Sequence, residues 1–502
     1  MSQLALPAAR RLALPRWLPL VAVFVLALAL RQFTIANTDV SWGLTMAEKW
    51  LDGARLYIDL IEVNPPATVY LYVAPVALGR VLGIAPELVV TALVFFAIAL
   101  SLWLSLRIMR TYGIVRVGEQ WPLLTIVATA LAILPGQNLG EREHVALILF
   151  LPWLSVAAVR AKGAVPDVAT MLIAGAAAGL VAIIKPHFAA AIVVTAAMAA
   201  WSARSWRPLL AAENWIAAAM LAAYAAFVAL VYPQFYTGMM PLLADVYIPV
   251  HASFTRLVLF FATPLWIASL VLIAILKGRA ALRAPFSLLV AASAGFSVSY
   301  YVQLKGWSYH SYPMLALALI AVALAFIDRW HRSADDGARA ARLVTAIVGA
   351  LIAGTAYLWM NFAVDCSALA APIRALKAHP KMLALTADLA YGHPLVRQAG
   401  GTWVSRVSAE WITAGVQARR FKGGLDATTD ARLEADARRD RVMLTEDIAR
   451  NRPDVIVVQP LPDFDWLAWA RSDPALAAEM AAYRPYATVD GVLILARAGA
   501  EN

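Results

Sequence analysis

"RLYIDLIEVNPPATVYLYV", from Arg55 to Val73, decides how the rest of the chain threads. Asp59, Glu62 and Asn64 stand just ahead of Pro65 and Pro66, and a tyrosine-rich apolar run follows them. If that run crosses a membrane, everything after it changes sides. If it stays at the surface, the three polar residues sit at that surface too. Charge placed elsewhere in the chain settles the choice.

The composition belongs in lipid. Of 502 residues, 62% are hydrophobic and 15% charged, with a mean hydropathy of +0.69. Soluble domains average about 45–50% and about 25%. Apolar stretches near bilayer-spanning length recur at 17–32, 87–107, 121–135, 144–159, 168–184, 188–202, 215–231, 257–276, 285–301, 312–327 and 343–360. The net charge of +10 is not gathered on one soluble face, so nucleic acid is not an expected partner. It falls in short clusters between apolar runs, as in loops that set topology. These are Arg10, Arg11 and Arg16; Arg107, Arg110 and Arg116; Arg160 and Lys162; Arg204 and Arg207; Lys277, Arg279 and Arg283; and Arg329, Arg332, Arg339 and Arg342.

With those eleven spans, every cluster falls on the cytoplasmic side. Counting 66–83 as another would turn every later cluster outward. The run is therefore expected as a juxtamembrane helix at the outer interface, with Tyr70 and Tyr72 at a suitable depth. Asn64 is its expected N-cap, with Pro65 and Pro66 in the first turn, where missing N–H groups cost little. The basic start and long first apolar run lack a small-x-small cleavage site, which predicts an uncleaved first helix and a cytoplasmic N-terminus. The lone Cys366 excludes an internal disulfide.

The same parity places 33–86, 136–144, 185–187, 232–256, 303–313 and the tail outside. The acids Asp39, Glu48, Asp52, Asp59, Glu62, Glu141, Glu143 and Asp245 collect there. Polar groups gathered at one membrane face point to a site opening to that face. From 361 the composition changes. "KMLALTAD", "RPDVIVVQP" and "ATVDGVLILAR" read as strands, and 406–419 and 427–450 as helices. The expected fold is a polytopic α-helical membrane protein of about 11 spans plus outer juxtamembrane helices. It comprises a transmembrane domain, 1–360, with a first outer loop at 33–86, and a small extracytoplasmic α/β domain at 361–502.

In the first outer loop, Trp42, Met46 and Trp50 recur every four residues, predicting an amphipathic helix able to lie on the membrane. Asp39 precedes it, just past the first span. It could face a cavity, or Asp39 or Thr38 could simply cap the helix. An acid at this place, a helix ending in "LDGARLYID" and then "NPPATVYLY" resemble the first outer loop of GT-C glycosyltransferases. These multi-span enzymes use polyprenyl-phosphate sugars; examples are the protein O-mannosyltransferases and the lipid A aminoarabinose transferases. The resemblance is carried by the first hundred residues and, more weakly, by the span layout and outer tail. It implies Asp39 as catalytic carboxylate and Glu62 as the second acidic position. The chain departs from the pattern at Val40, where an acid is common, and at Asn64, where a lysine is frequent. A different cation must then meet the donor phosphate, and Arg142, Lys185 and Lys305 are the candidates.

Further candidates lie in the other outer loops. In "GEREH", Glu141, Glu143 and His144 around Arg142 could contact substrate or hold a divalent metal ion, or only mark a membrane boundary. Lys185 interrupts an apolar hairpin, where a charge is costly without a partner; it could also snorkel to the interface. In "QLKGWSYHSYP", Lys305, Tyr309 and His310 suit a lipid phosphate, although an interfacial aromatic belt has the same composition. His251 could approach Glu62 as a metal partner, and Asn64 could touch substrate.

The resemblance implies an inverting sugar transfer from a polyprenyl-phosphate donor to a lipid, glycan or protein acceptor. Asp39 would be the general base, at the periplasmic face of a bacterial inner membrane. The rival readings are a transporter or flippase, and a polymerase or ligase for lipid-linked glycans. A transporter would favour inverted repeats with broken helices, and no matching halves are visible.

Overall fold

The computed structural model describes residues 15–500 apart from 36, 260–261, 333–336 and 363–364. Arg10 and Arg11, used above for topology, lie outside the described residues, as do the side chains of Arg332 and Arg339. Each of the eleven expected spans contains a helix. These helices are α1 (Leu18–Arg31), α4 (Pro86–Thr111), α5 (Gln120–Ala132), α6 (Arg142–Ala161), α7 (Val168–Ile184), α8 (Ala189–Ala203), α9 (Ala212–Val231), α10 (Ala262–Lys277), α11 (Phe286–Gln303), α12 (Tyr312–Arg332) and α13 (Gly337–Met360). Between the first two lie the expected outer helices, α2 (Thr38–Leu51) and α3 (Ala67–Leu82). Among the described residues, seven helices are long and apolar enough to cross a membrane. The chain is a polytopic α-helical membrane protein.

The bundle is built around α6, which is buried along nearly its whole length and packs on α4, α7 and α8. Small residues let the backbones approach where lipid supplies no hydrophobic drive. A Cβ on Gly175 or Gly179 of α7 would lie 2.8 Å from Ile216 or 2.6 Å from Met220 of α9.

Two expectations for the first outer loop are corrected. The Trp42–Met46–Trp50 face of α2 does not lie on lipid. Val40, Leu44 and Ala47 enter the bundle core, while Trp42 and Met46 enter a second core shared with the tail. Trp50 meets Tyr70 edge-on at 5.6 Å. Packing on both sides overrides the amphipathic pattern, which specifies an apolar face without saying what covers it. Nor does Asn64 cap α3. Its side chain turns back to Glu62, and the Ala67 N–H at the helix start donates to the Tyr224 hydroxyl at 2.9 Å.

The tail folds as a five-stranded sheet in the order β2-β1-β3-β5-β4. Its strands are β1 (Lys381–Leu385), β2 (Thr402–Trp403), β3 (Val455–Val458), β4 (Tyr483–Val489) and β5 (Val492–Arg497). β1 pairs in parallel with β2 and β3, and β5 runs antiparallel to β3 and β4. "ATVDGVLILAR" spans the end of β4 and β5, because Asp490 and Gly491 take φ of 49° and 81° in the hairpin turn. Successive strand side chains alternate faces. Met382, Ala384, Val455 and Val457 therefore face the core containing Trp42 and Leu60, while Leu383, Leu385, Ile456 and Val458 pack on Trp466. The longest helices of the tail are α14 (Ser367–Leu376), α15 (Trp411–Lys422) and α16 (Ala427–Asn451). It is fastened to the first outer loop by Ile61 N–H to the Arg406 carbonyl (2.9 Å), Arg397 to Glu48 (2.9 Å), and Lys49 to the Ser405 carbonyl.

A tight joint is Gly43 of α2, where an added Cβ would sit 2.3 Å from the Tyr72 ring of α3. Gly43→Ala is expected to destabilise the detergent-solubilised protein by about 1–3 kcal/mol, read as a lower midpoint in thermal unfolding.

Candidate functional site

Asn37 sets up the site. Its Oδ1 accepts from the N–H of Asp39 (2.7 Å) and Val40 (3.3 Å), and its Nδ2 donates to Asn138 (2.7 Å). Neither Asp39 nor Thr38 is the cap, so the Asp39 carboxylate, in the first turn of α2, is not used for capping. It meets Arg142 Nη2 at 3.5 Å.

Arg142 opens α6, and the loop before it is held by His144. The Gly140 N–H donates to His144 Nδ1 at 3.0 Å, so the proton sits on Nε2, which donates to the Leu131 carbonyl at 2.7 Å. Gly140 itself needs its φ of +86°, and Tyr72 donates to its carbonyl at 3.1 Å. With both ring nitrogens engaged, His144 is a structural staple, which corrects its expected place among substrate or metal ligands. Among the described residues, no three His, Cys, Asp or Glu side chains are grouped as a metal ion would require.

The buried charges form two linked sets. Arg142 Nε donates to Glu141 at 3.2 Å, and its Nη1 has no partner among the described residues. Lys185, between α7 and α8, donates to Glu143 at 2.5 Å and to Gln303 at 3.2 Å, and lies 5.7 Å from the Tyr309 ring. It is 5% exposed, so it points into the protein instead of snorkelling. His310 Nε2 is 3.6 Å from the same Glu143 oxygen. The Tyr309 hydroxyl, His310 Nδ1 and Glu143 Oε2 are buried without partners. Of the three carboxylates, the Asp39 side chain is 24% exposed, while Glu141 and Glu143 are fully enclosed. Burial raises the Asp39 pKa above the usual carboxylate range; Arg142 opposes this, as does the Tyr309 hydroxyl, which lies close without closing a full hydrogen bond.

Glu62 lies beside this cluster, within electrostatic reach of Arg142. It takes hydrogen bonds from Trp42 Nε1 (2.8 Å) and from the backbone and side-chain nitrogens of Asn64 (2.9 and 2.5 Å). Burial raises its pKa, and the Trp42 and Asn64 donors pull the other way. Trp42 stacks 4.9 Å from His393, itself 4.7 Å from Trp403, which runs an aromatic chain from Glu62 into the tail sheet. His251 does not join Glu62: it is exposed, and its Nδ1 faces the Ala252 carbonyl. Lys305 donates to the carbonyls of Tyr247 (2.8 Å) and Val250 (2.6 Å) over the Tyr247 ring, and burial lowers its pKa to about 8.

Asn37 and Gln303 were not singled out from sequence, and Trp42 and Tyr72 were expected only as residues at the membrane surface. The run Asn37-Thr38-Asp39 offers three capping side chains in a row, so a cap at Asn37 was legible. Tyr72 and Gln303 matter through contacts with distant segments and leave no local trace.

No protein-family model and no curated protein matches the chain. Among solved structures, it is similar to ArnT from Cupriavidus metallidurans bound to undecaprenyl phosphate, with a TM-score of 0.57 at 14% identity over 98% of this chain and 100% of that one. It is likewise similar to the apo state of that protein, with a TM-score of 0.54 at 13% identity over 96% and 98%. The chain therefore shares the fold of ArnT along nearly its whole length.

Breaking one of these buried pairs strands a charge, whereas neutralising both partners does not. Lys185→Met should cost about 3–5 kcal/mol, and Lys185→Met/Glu143→Gln should recover most of it. Thermal unfolding of the single and double variants measures the difference.

Proposed function

We propose that the chain is a membrane glycosyltransferase that moves a sugar from a polyprenyl-phosphate donor to a lipid, glycan or protein acceptor, with inversion, and with Asp39 as general base. The observation that carries this reading is the pairing of a partly exposed Asp39 with a buried Arg142 whose Nη1 has no partner. Leaving a buried donor unsatisfied costs about 1–3 kcal/mol or more. Among the described residues the Tyr309 hydroxyl is in the same state, and a donor kept unpaired is ready for an anion. That the ArnT structure similar to this one holds undecaprenyl phosphate supports a lipid phosphate as that anion.

In this reading the acceptor hydroxyl or amine gives its proton to Asp39 and its lone pair attacks the anomeric carbon. The bond from that carbon to the phosphate oxygen breaks, and its electron pair leaves with the polyprenyl phosphate. Charge bookkeeping favours the step. Protonation of Asp39 takes one negative charge from the site as the phosphate gains its own. Arg142 would hold the leaving phosphate. Lys185 would support it through the Glu143 pair, and Lys305, already bound to two carbonyls, would contribute less. Glu62 and Asn64 would shape the substrate pocket beside Asp39. The basic clusters support a cytoplasmic N-terminus, with the site and the tail (361–502) facing the periplasm and residues 1–360 forming the catalytic bundle.

The test is transfer from labelled undecaprenyl-phosphate sugars to a panel of acceptors by the purified protein. Asp39→Asn should lower transfer by about 10²–10⁴-fold, and survival of full activity would end the proposal. Because burial raises the Asp39 pKa and the base must be ionised, kcat/KM should climb with pH through an apparent pKa above 3.8.

A further inference from the structure

A cleft lies apart from the Asp39 cluster, between the first outer loop, the segment around Met239, and α16. It encloses about 680 Å³, within the ~300–1,000 Å³ range of small-ligand sites. Its floor is Tyr57, Ile58 and Ile61, the chain segment that runs into Glu62, and the Tyr57 hydroxyl donates to the Asn64 carbonyl at 2.8 Å. The opposite wall is one face of α16, with Arg438, Arg439, Val442 and Glu446.

The charges on this wall are not arranged like those around it. Neighbouring arginines are paired: Arg432 with Asp245, Arg420 with Asp430 and Glu434, Arg441 with Glu434, and Arg406 with Glu446 and Asp447. Arg438 and Arg439 make neither an ion pair nor a hydrogen bond among the described residues, although Arg439 feels Asp436 and Asp440 of its own helix at longer range. A solvated helix face would account for two free arginines but not for the exposed apolar side chains that line the same cleft. Ile58 and Val442 are 38% and 51% exposed in the same cleft. Unpaired guanidinium groups read carboxylate or phosphate in a two-pronged way, and apolar side chains suit the C–H face of a sugar ring.

We propose that this cleft is a remote recognition site for an anionic saccharide unit of the acceptor, bearing a carboxylate or a phosphate away from the reacting group. The assignment to the acceptor rests on the transferase reading, because the donor phosphate already has Arg142. The cleft would hold the acceptor's charged sugar while the reacting end extends along the Tyr57–Glu62 segment toward Asp39.

Full-length protein in phosphatidylcholine nanodiscs would be titrated with glucuronate, glucose 1-phosphate, glucose and inorganic phosphate, followed by calorimetry. The charged sugars should bind more tightly than glucose or free phosphate, and high salt should weaken them. R438Q/R439Q, at two exposed positions, should weaken the charged sugars by at least about tenfold and leave glucose unchanged. Comparison of glucuronate with glucose 1-phosphate identifies the anion. Equal binding by wild type and R438Q/R439Q, binding of glucose or free phosphate as tight as that of the charged sugars, or no binding at all overturns the proposal. Asp39→Asn should bind the probes as wild type does, so failure of the cleft and failure of the catalytic reading give separate results.

Discussion

The pairing of Lys185 with Glu143 is the constraint on which the rest of the site depends. A lysine 5% exposed at the junction of α7 and α8 cannot stay charged without an anion beside it. Glu143, in the first turn of α6, supplies that anion, in the place where the helix dipole also favours a carboxylate. Once Glu143 is fixed, Arg142 is turned toward Glu141 and Asp39, and His310 is drawn to within 3.6 Å. Four separate segments of chain are thereby brought to one point, at the ends of helices whose spans pack through small residues.

The second organising element is α2. It is a beam with one side in the bundle core and the other in the core under the tail sheet. Asp39 heads it, and Trp42, one turn later, carries Glu62 on its indole N–H and His393 on its ring. A change in how the tail sits is therefore passed to Glu62 through stacked rings. This gives the tail a physical connection to the site without placing any of its residues there.

Legibility in the sequence divided along the same line. Spans, outer helices and the strand runs of the tail are set by local periodicity and by hydropathy over about twenty residues, and all of these appear in the fold. Asp39, Arg142, Lys185, Tyr309 and His310 could be singled out because polar groups among apolar runs are costly enough to demand a reason. Three readings failed for one shared reason. Asn64 as a cap, His144 as a ligand and His251 beside Glu62 all assigned a side chain to a partner before the partner's position was known. Asn64 and His144 instead satisfied nearby groups, Glu62 for the first and the Gly140 N–H and Leu131 carbonyl for the second.

By itself, then, the sequence determined that this chain lives in a bilayer and about where its helices run. Those are consequences of side-chain transfer energies and backbone propensity, which act over short stretches. Tertiary structure alone decided that "NPPATVYLYV" begins with a glutamate clamp on Asn64 and lies beneath Tyr224, and that α2 is enclosed instead of lying on lipid. It also decided which carboxylate reaches open space and which arginines remain unpaired. Those outcomes depend on which charges become neighbours when distant segments pack, and a buried charge takes whichever partner the fold brings within reach.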